Sequence, residues 1–307
     1  MKLNVAWPPP GRYILAVSGG ADSMVLLDLM TASAGERGYK LVVAHFDHGL
    51  RPDSAHAARL VAATVEHHRL PFVTMAAHLA HASEAQARAA RHAWLEHVRA
   101  EHQAAAIITA HHQDDLLETS LLNLTRGTGR RGLAPMQDSG RIARPLLGLT
   151  RKQLRAYAGA HQLVWDEDPT NADLANPRNL LRHVILPNAA TDWSSHYLEL
   201  LAHLSILNKQ IAQGLGSLLD DARSGPSGYS FPRSLIRDLS LNEVAELIHA
   251  AARRLHPEVE PGRRTLEELA LFSKTSRPHH RRPLYRDIFV VVDRAHISVY
   301  YMGISDR

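Results

Sequence analysis

A chain of 307 residues, 45% of them hydrophobic, is long enough to bury one large core or two of ordinary size. It contains no cysteine, which excludes a disulfide framework, thiolate zinc sites, iron–sulfur clusters and a cysteine nucleophile. The formal charge of +4 is modest, but most basic residues are arginine, so a nucleotide or RNA partner is plausible, although a GC-rich genome explains arginine equally well.

In chain order, the first half alternates short apolar runs with amphipathic stretches: RYILAV then 22–33, KLVVAHF then 53–69, PFVTM then 83–102, AAIITA then 113–125. This alternation predicts βαβ units, an α/β fold whose Rossmann-like parallel sheet carries helices on both faces. A short helix follows at about 150–161, then a polar, proline-punctuated loop from Val164 to Asn179. Beyond Pro187 the pattern turns helical, over 193–221, 241–255 and 265–273, with SGPSG (Ser224 to Gly228) as a break. PLYRDIFVVVD and HISVYYM then read as a closing hairpin. The expected division is a catalytic domain over 1–187 and a smaller, mostly helical domain over 188–307. The longest apolar runs are too short to span a membrane and the start lacks a signal-peptide core, so a cytoplasmic protein is expected.

The chemistry-bearing residues cluster after the strand runs, where ligand groups sit in open α/β sheets. In SGGADS, Gly19 and Gly20 free the backbone to close on an anion, and the helix start adds its positive end, which suits a pyrophosphate. Ser18 and Ser23 can add hydroxyls; Asp22 is better placed as a magnesium ligand or base. The lysine of GxxxxGK(S/T) is missing, so this is not a Walker loop. The second element, AHFDHGLRPDS, offers His45, Asp47, His48 and Arg51, or simply a polar loop in which Asp53 or Ser54 caps a helix. In TAHHQDDLLETSLLNLTRGTGRRGL, His111 and Asp115 share a helix face, as do Asp114 and Glu118. Arg126, Arg130 and Arg131 among glycines suit a loop that grips phosphate or RNA, or a solvated basic loop. Arg88 and Arg91 lie on the alanine-rich helix of 83–102, and Arg178 and Arg182 fall at i and i+4 near the domain junction.

Taken together, SGGADS, HFDHGLRPDS, SEAQARAARH, AHHQDDLLETSLLNLTRGTGRRGLAPM, RPLLGLTRKQL and WDEDPTNADLANPRNLLRH, from about Leu15 to Pro187, resemble the tRNA(Ile)-lysidine synthetases, N-type PP-loop ATP pyrophosphatases. The resemblance implies an enzyme that adenylates the C2 oxygen of the wobble cytidine of a CAU-anticodon tRNA(Ile) with ATP and Mg2+. Free L-lysine then displaces AMP to give lysidine. It implies a pyrophosphate cradle of Ser18, Gly19, Gly20, Ala21, Asp22 and Ser23, with His45 near adenine or ribose. Asp115 is the first candidate for orienting and deprotonating lysine, and Asp22 the second. His111, Arg91 and Arg182 would stabilise the phosphate and adenylate, with Arg178 behind Arg182. Arg126, Arg130, Arg131 and the second domain would hold the tRNA, and a homodimer is left open. One departure is His92, where the family usually has an aromatic residue, typically tyrosine. Two rivals remain: a metal-dependent phosphoesterase built on Asp47, His48, His111, His112, Asp114 and Asp115, and a non-catalytic tRNA-binding protein.

Overall fold

The computed structural model describes residues 3–302 apart from 48, 50–53, 78–82, 137–139, 168, 191, 223, 225–226, 258 and 260. His48, Arg51 and Asp53 lie outside the described residues. The chain forms two compact units, Met1–Arg126 with Ala134–Glu199, and Gly127–Leu133 with Leu200–Arg307.

The first unit is built on strands β1 (Gly11–Ala16), β2 (Tyr39–Asp47), β3 (Phe72–Ala76), β4 (Ala106–Ile108) and β5 (Ile142–Ala143), all parallel, in the order β3-β2-β1-β4-β5. Alternate side chains feed two cores, as a sheet covered on both faces requires. Tyr13, Leu15, Leu41, Val43 and Ile108 join one, while Ile14, Val42, Ala44 and Ile107 join the other. Helices α1 (Ala21–Ala32) and α2 (Ser54–His67) cover the first face with α5 (Arg151–Ala160). Helix α3 (Glu84–Glu101) covers the second through Leu95 and Val98, and α4 (Gln113–Thr125) follows β4. Capping boxes start α3 and α5: Ser83 pairs reciprocally with Gln86, and Thr150 with Gln153.

The order reverses between β1, whose helix is α1, and β4, whose helix is α4, creating the crevice where open α/β sheets bind ligands. The fifth strand, two residues long, was not expected.

The second unit contains most of α6 (Trp193–Asp221), then α7 (Leu241–Leu255) and α8 (Arg263–Thr275). It also holds an antiparallel sheet of β6 (Gly228–Pro232), β7 (His280–Tyr285), β8 (Ile288–Val292) and β9 (His296–Tyr301), in the order β6-β9-β8-β7. The expected terminal hairpin is therefore part of a four-stranded sheet: PLYRDIFVVVD bends at Arg286, whose φ is 42°, and supplies two strands. The unit boundary falls within α6 and not at 187/188, because a continuous helix carries the chain across it, and 127–133 pack with the second unit. No helix of the described residues is long and apolar enough to cross a membrane.

Candidate functional site

Gly19 has φ of 92°, and a Cβ there would sit 3.1 Å from Ala57 Cβ, so both backbone angle and packing demand glycine. Buried Ser23 has a different part from the expected pyrophosphate donor. Its Oγ accepts the N–H groups of Ser18 (3.2 Å) and Gly19 (3.1 Å) and donates to the Gly20 carbonyl (2.8 Å), so it shapes the loop from within. At the first turn of α1, N-cap Gly20 provides no side-chain cap, so this turn offers backbone N–H groups of the kind that suit an anion. Ser18 is exposed at the loop's rim.

At the end of β2, buried His45 donates from Nδ1 to the Val17 carbonyl at 2.9 Å. Its Nε2 is buried and has no hydrogen-bond partner among the described residues, a bare acceptor at a strand end.

The adjacent histidines that follow β4 have opposite surroundings. His112 is fully buried, with Nε2 at 3.4 Å from both Asp22 and Asp115 and Nδ1 at 3.5 Å from Asp114. Burial alone would push its pKa down, but the three carboxylates outweigh burial and raise it to about 9. In return Asp114, which also accepts the Arg151 N–H at 2.8 Å, falls to about 2 although burial opposes the shift. Asp22 is likewise lowered against burial by His112, Arg151 and Arg155. His111 bonds through Nδ1 to Thr109 Oγ1 at 2.8 Å, and burial pushes its pKa down to about 4; Asp115 opposes this, while Arg144, Arg88 and Arg91 add to it. It is neutral at neutral pH, so it offers hydrogen bonding rather than charge. Burial and the same arginines bring His92 to about 4 as well. Arg91 is half-buried, its pKa lowered by burial and Arg88, and among the described residues it has no carboxylate partner.

Asp115 accepts the His112 backbone N–H at 3.1 Å, capping α4. One turn on, Glu118 is fully buried and gathers arginines: Arg182 binds it bidentately at 2.8 and 2.9 Å, Arg151 approaches to 3.4 Å and Arg178 to 3.5 Å. Arg182 also lies 3.6 Å from Asp115, and it sits in a π-helical turn, Leu181–Ile185, a widened geometry frequent at functional sites. Sequence reasoning passed over Arg151, placed Glu118 only on a helix face with Asp114, and gave His112 a part only in the rival metal centre. The available signal was a charged residue inside the apolar run LLETSLL.

The arginines of the glycine-rich loop part company. Arg126 is exposed in the first unit, whereas Arg130 and Arg131 both pair with Glu246, and they bond to Asn208 and His249 respectively. Both guanidinium groups are engaged within the second unit, so the expected grip on RNA is not free in them.

The donor set also bears on metal chemistry. Asp22 Oδ1 is buried and has no hydrogen-bond partner among the described residues, which fits a hard cation. Among the described residues no three His, Asp or Glu side chains are placed to hold a metal ion, so phosphate oxygens and water would complete such a site.

Comparison with known proteins agrees with this geometry. Residues 3–189 match the family model of the PP-loop domain. Curated relatives include the tRNA(Ile)-lysidine synthases of Alkalilimnicola ehrlichii (43% identical; 60% of this chain, 43% of the relative) and Gloeobacter violaceus (38%; 70% and 68%). A third, from Thermus thermophilus, is 43% identical over 58% of this chain and 36% of its own. The matched stretches thus span roughly a third to two thirds of these relatives' lengths. Among solved structures, the U34-tRNA thiolase NcsA of Methanococcus maripaludis superposes with a TM-score of 0.51 at 14% identity, covering 64% of this chain and 74% of its own, which shows the fold.

Proposed function

This chain belongs to the tRNA(Ile)-lysidine synthase family of PP-loop proteins, and from that premise we propose that it joins lysine to the wobble cytidine of tRNA(Ile) bearing a CAU anticodon, acting in the cytoplasm. The observation that carries the reading is the split crevice at the ends of β1 and β4: carboxylates gather around His112 on one side, arginines around His111 on the other.

The C2 oxygen of cytosine is a poor leaving group. It attacks the α-phosphorus of ATP, pyrophosphate departs, and the oxygen becomes part of an adenylate. The lysine side-chain nitrogen then attacks C2, forming a C–N bond as the C–O bond to AMP breaks. The first turn of α1 would seat the departing pyrophosphate and His45 Nε2 would accept from the nucleoside. Arg91, neutral His111 and Arg182 would surround the α-phosphate and adenylate. Bound Mg2+, held by Asp22 and phosphate oxygens, would neutralise charge on the leaving group. Lysine arrives as an ammonium, with a reference pKa of about 10.4. Asp115 would orient it and take its proton, and Asp22 is the second candidate. The second unit and Arg126 would hold the tRNA.

A phosphoesterase centre is disfavoured because it would leave the Gly19 loop and the uncapped first turn of α1 without a role. A thiolase reading is disfavoured by the absence of cysteine.

Purified protein given ATP, Mg2+, lysine and this tRNA should incorporate lysine with matching AMP release. Asp115→Asn should lose about 10²-fold in lysine transfer while still releasing pyrophosphate. If no tRNA ever acquires lysine the proposal fails, and phosphate-ester hydrolysis without ATP would point to the metal centre instead.

A further inference from the structure

β7 closes one side of the second unit's sheet. It pairs with β8 alone, so its outer side has no strand partner among the described residues. The strand and its flanks read RPHHRRPLYR, in which Arg277, Arg281, Arg282 and Arg286 are all exposed. Among the described residues none of the four has a carboxylate within ion-pair distance. Of the neighbouring acids, Glu267 and Glu268 of α8 pair with Arg263 and Arg264, Asp293 meets His279 at 3.3 Å, and Asp287 follows Arg286 in the turn without reaching ion-pair distance of it. Other arginines of this unit do find carboxylates, as Arg254 does with Asp220 and Arg263 with Glu267.

Aromatic rings position three of the four unpaired arginines. Arg281 lies over Phe289 at 5.5 Å, Arg282 over Phe272 at 5.2 Å and Arg286 over Tyr285 at 5.3 Å. A ring orients a guanidinium without neutralising it. Pro283 and the register shift beside it disfavour addition of another strand, so the edge is unsuited to pairing with a peptide. Arg281 and Arg282, consecutive on β7, project to opposite faces, one over Phe289 and the other over Phe272, so the edge carries uncompensated guanidinium charge on both faces. Such an edge fits a polyanion, and arginine's planar fork fits phosphate.

We propose that the edge formed by Arg277, Arg281, Arg282 and Arg286 is a phosphate-contact surface for RNA, and that the tRNA of the reaction above lies against it. The identity of that RNA rests on the lysidine reading; the surface itself does not.

The test uses the full chain and fluorescence anisotropy with CAU-anticodon tRNA(Ile) between 50 and 200 mM salt. Replacing both Arg281 and Arg282 by alanine should weaken binding by about tenfold or more at the lower salt and reduce the log–log salt slope by about two, one per phosphate contact. KM for tRNA should rise with Kd while kcat at saturating tRNA stays within about twofold. Lysine at both positions should restore the slope, since charge rather than packing on the rings is what RNA reads. Should the double alanine variant not fold, Arg277→Ala with Arg286→Ala, outside the hydrogen-bonded strand, supplies the same measurement. Unchanged Kd and slope in folded alanine variants would overturn the surface, leaving the arginines as guards of the edge. So would capture of anionic phospholipid vesicles in place of tRNA. Lysine transfer that persists with unchanged binding sinks the surface alone. Binding through these arginines without any lysine transfer sinks the lysidine reading alone.

Discussion

Replacing Glu118 by glutamine tests whether one buried carboxylate holds the arginine side of the crevice. Its side chain is fully buried, and those of Arg182, Arg151 and Arg178 are 17%, 22% and 31% exposed. Glutamine keeps the shape but removes the charge and turns one acceptor into a donor facing guanidinium N–H groups. Breaking a buried ion pair by removing one partner costs about 3–5 kcal/mol. The lower end applies, because the arginines retain some water and Arg182 and Arg151 keep Asp115 at 3.6 and 3.9 Å. A loss of about 3 kcal/mol, or roughly 6–12 °C in the melting of a unit of this size, is the expected result. All four tryptophans, Trp7, Trp94, Trp165 and Trp193, belong to the first unit, so urea unfolding followed by tryptophan fluorescence reads this unit alone. Arg182→Ala should couple to Glu118→Gln by at least about 1.5 kcal/mol in a double-mutant cycle. A loss under about 1 kcal/mol with no coupling would refute the reasoning, because the arginines would then be held by something other than Glu118.

Two further outcomes follow from the same geometry. The folded-state pKa of His112 is raised to about 9, so its stabilisation is complete below the unfolded value and is lost as pH rises through 9. About 3 kcal/mol should disappear from the first unit between pH 6.5 and above 9, a slope that His112→Gln should flatten in urea titrations read by tryptophan. His92 and His111, lowered to about 4, act in the opposite sense, so stability also declines as pH falls from 6.5 toward 4. Gly19→Ala forces a Cβ to 3.1 Å from Ala57 at a φ of 92° and should cost about 1–3 kcal/mol. It should also weaken nucleotide binding by calorimetry; unchanged stability and affinity would show that the loop adopts another conformation.

Much of the fold was legible because its signals are local. The helices over 113–125, 193–221 and 241–255 follow apolar periodicity, and Ser83, Thr150 and Ser240 each begin a helix with a Gln or Glu three residues on. What stayed hidden has no local signal. Ile142–Ala143 is too short to form a run, and β6 starts at the Gly228 that reads as a loop. The turn between β7 and β8 places an arginine at positive φ where glycine or asparagine would announce it. In the site, SGGADS and Asp115 were readable as motifs. Glu118 was not, because Arg151, Arg178 and Arg182 reach it from 33, 60 and 64 residues away. Nor could sequence tell His111 from His112, since consecutive side chains at the end of a strand point to opposite sides.

That divergence explains how one crevice can serve reactants of opposite charge. An ATP-dependent attachment of lysine needs positive potential for phosphates and negative potential for an ammonium within one reaction space. The four carboxylates of Asp22, Asp114, Asp115 and Glu118 meet four cations, His112, Arg151, Arg178 and Arg182, with three of the carboxylates gathered at His112 and the guanidinium groups gathered at Glu118. Beside neutral His111, Arg88 and Arg91 add positive charge that has no carboxylate partner among the described residues. A cationic His112 holds the three carboxylates together. A neutral His111 can approach a phosphate without binding it so tightly that AMP is retained. On the lysidine reading, the two histidines act as a pair because their environments drive them to opposite charge states.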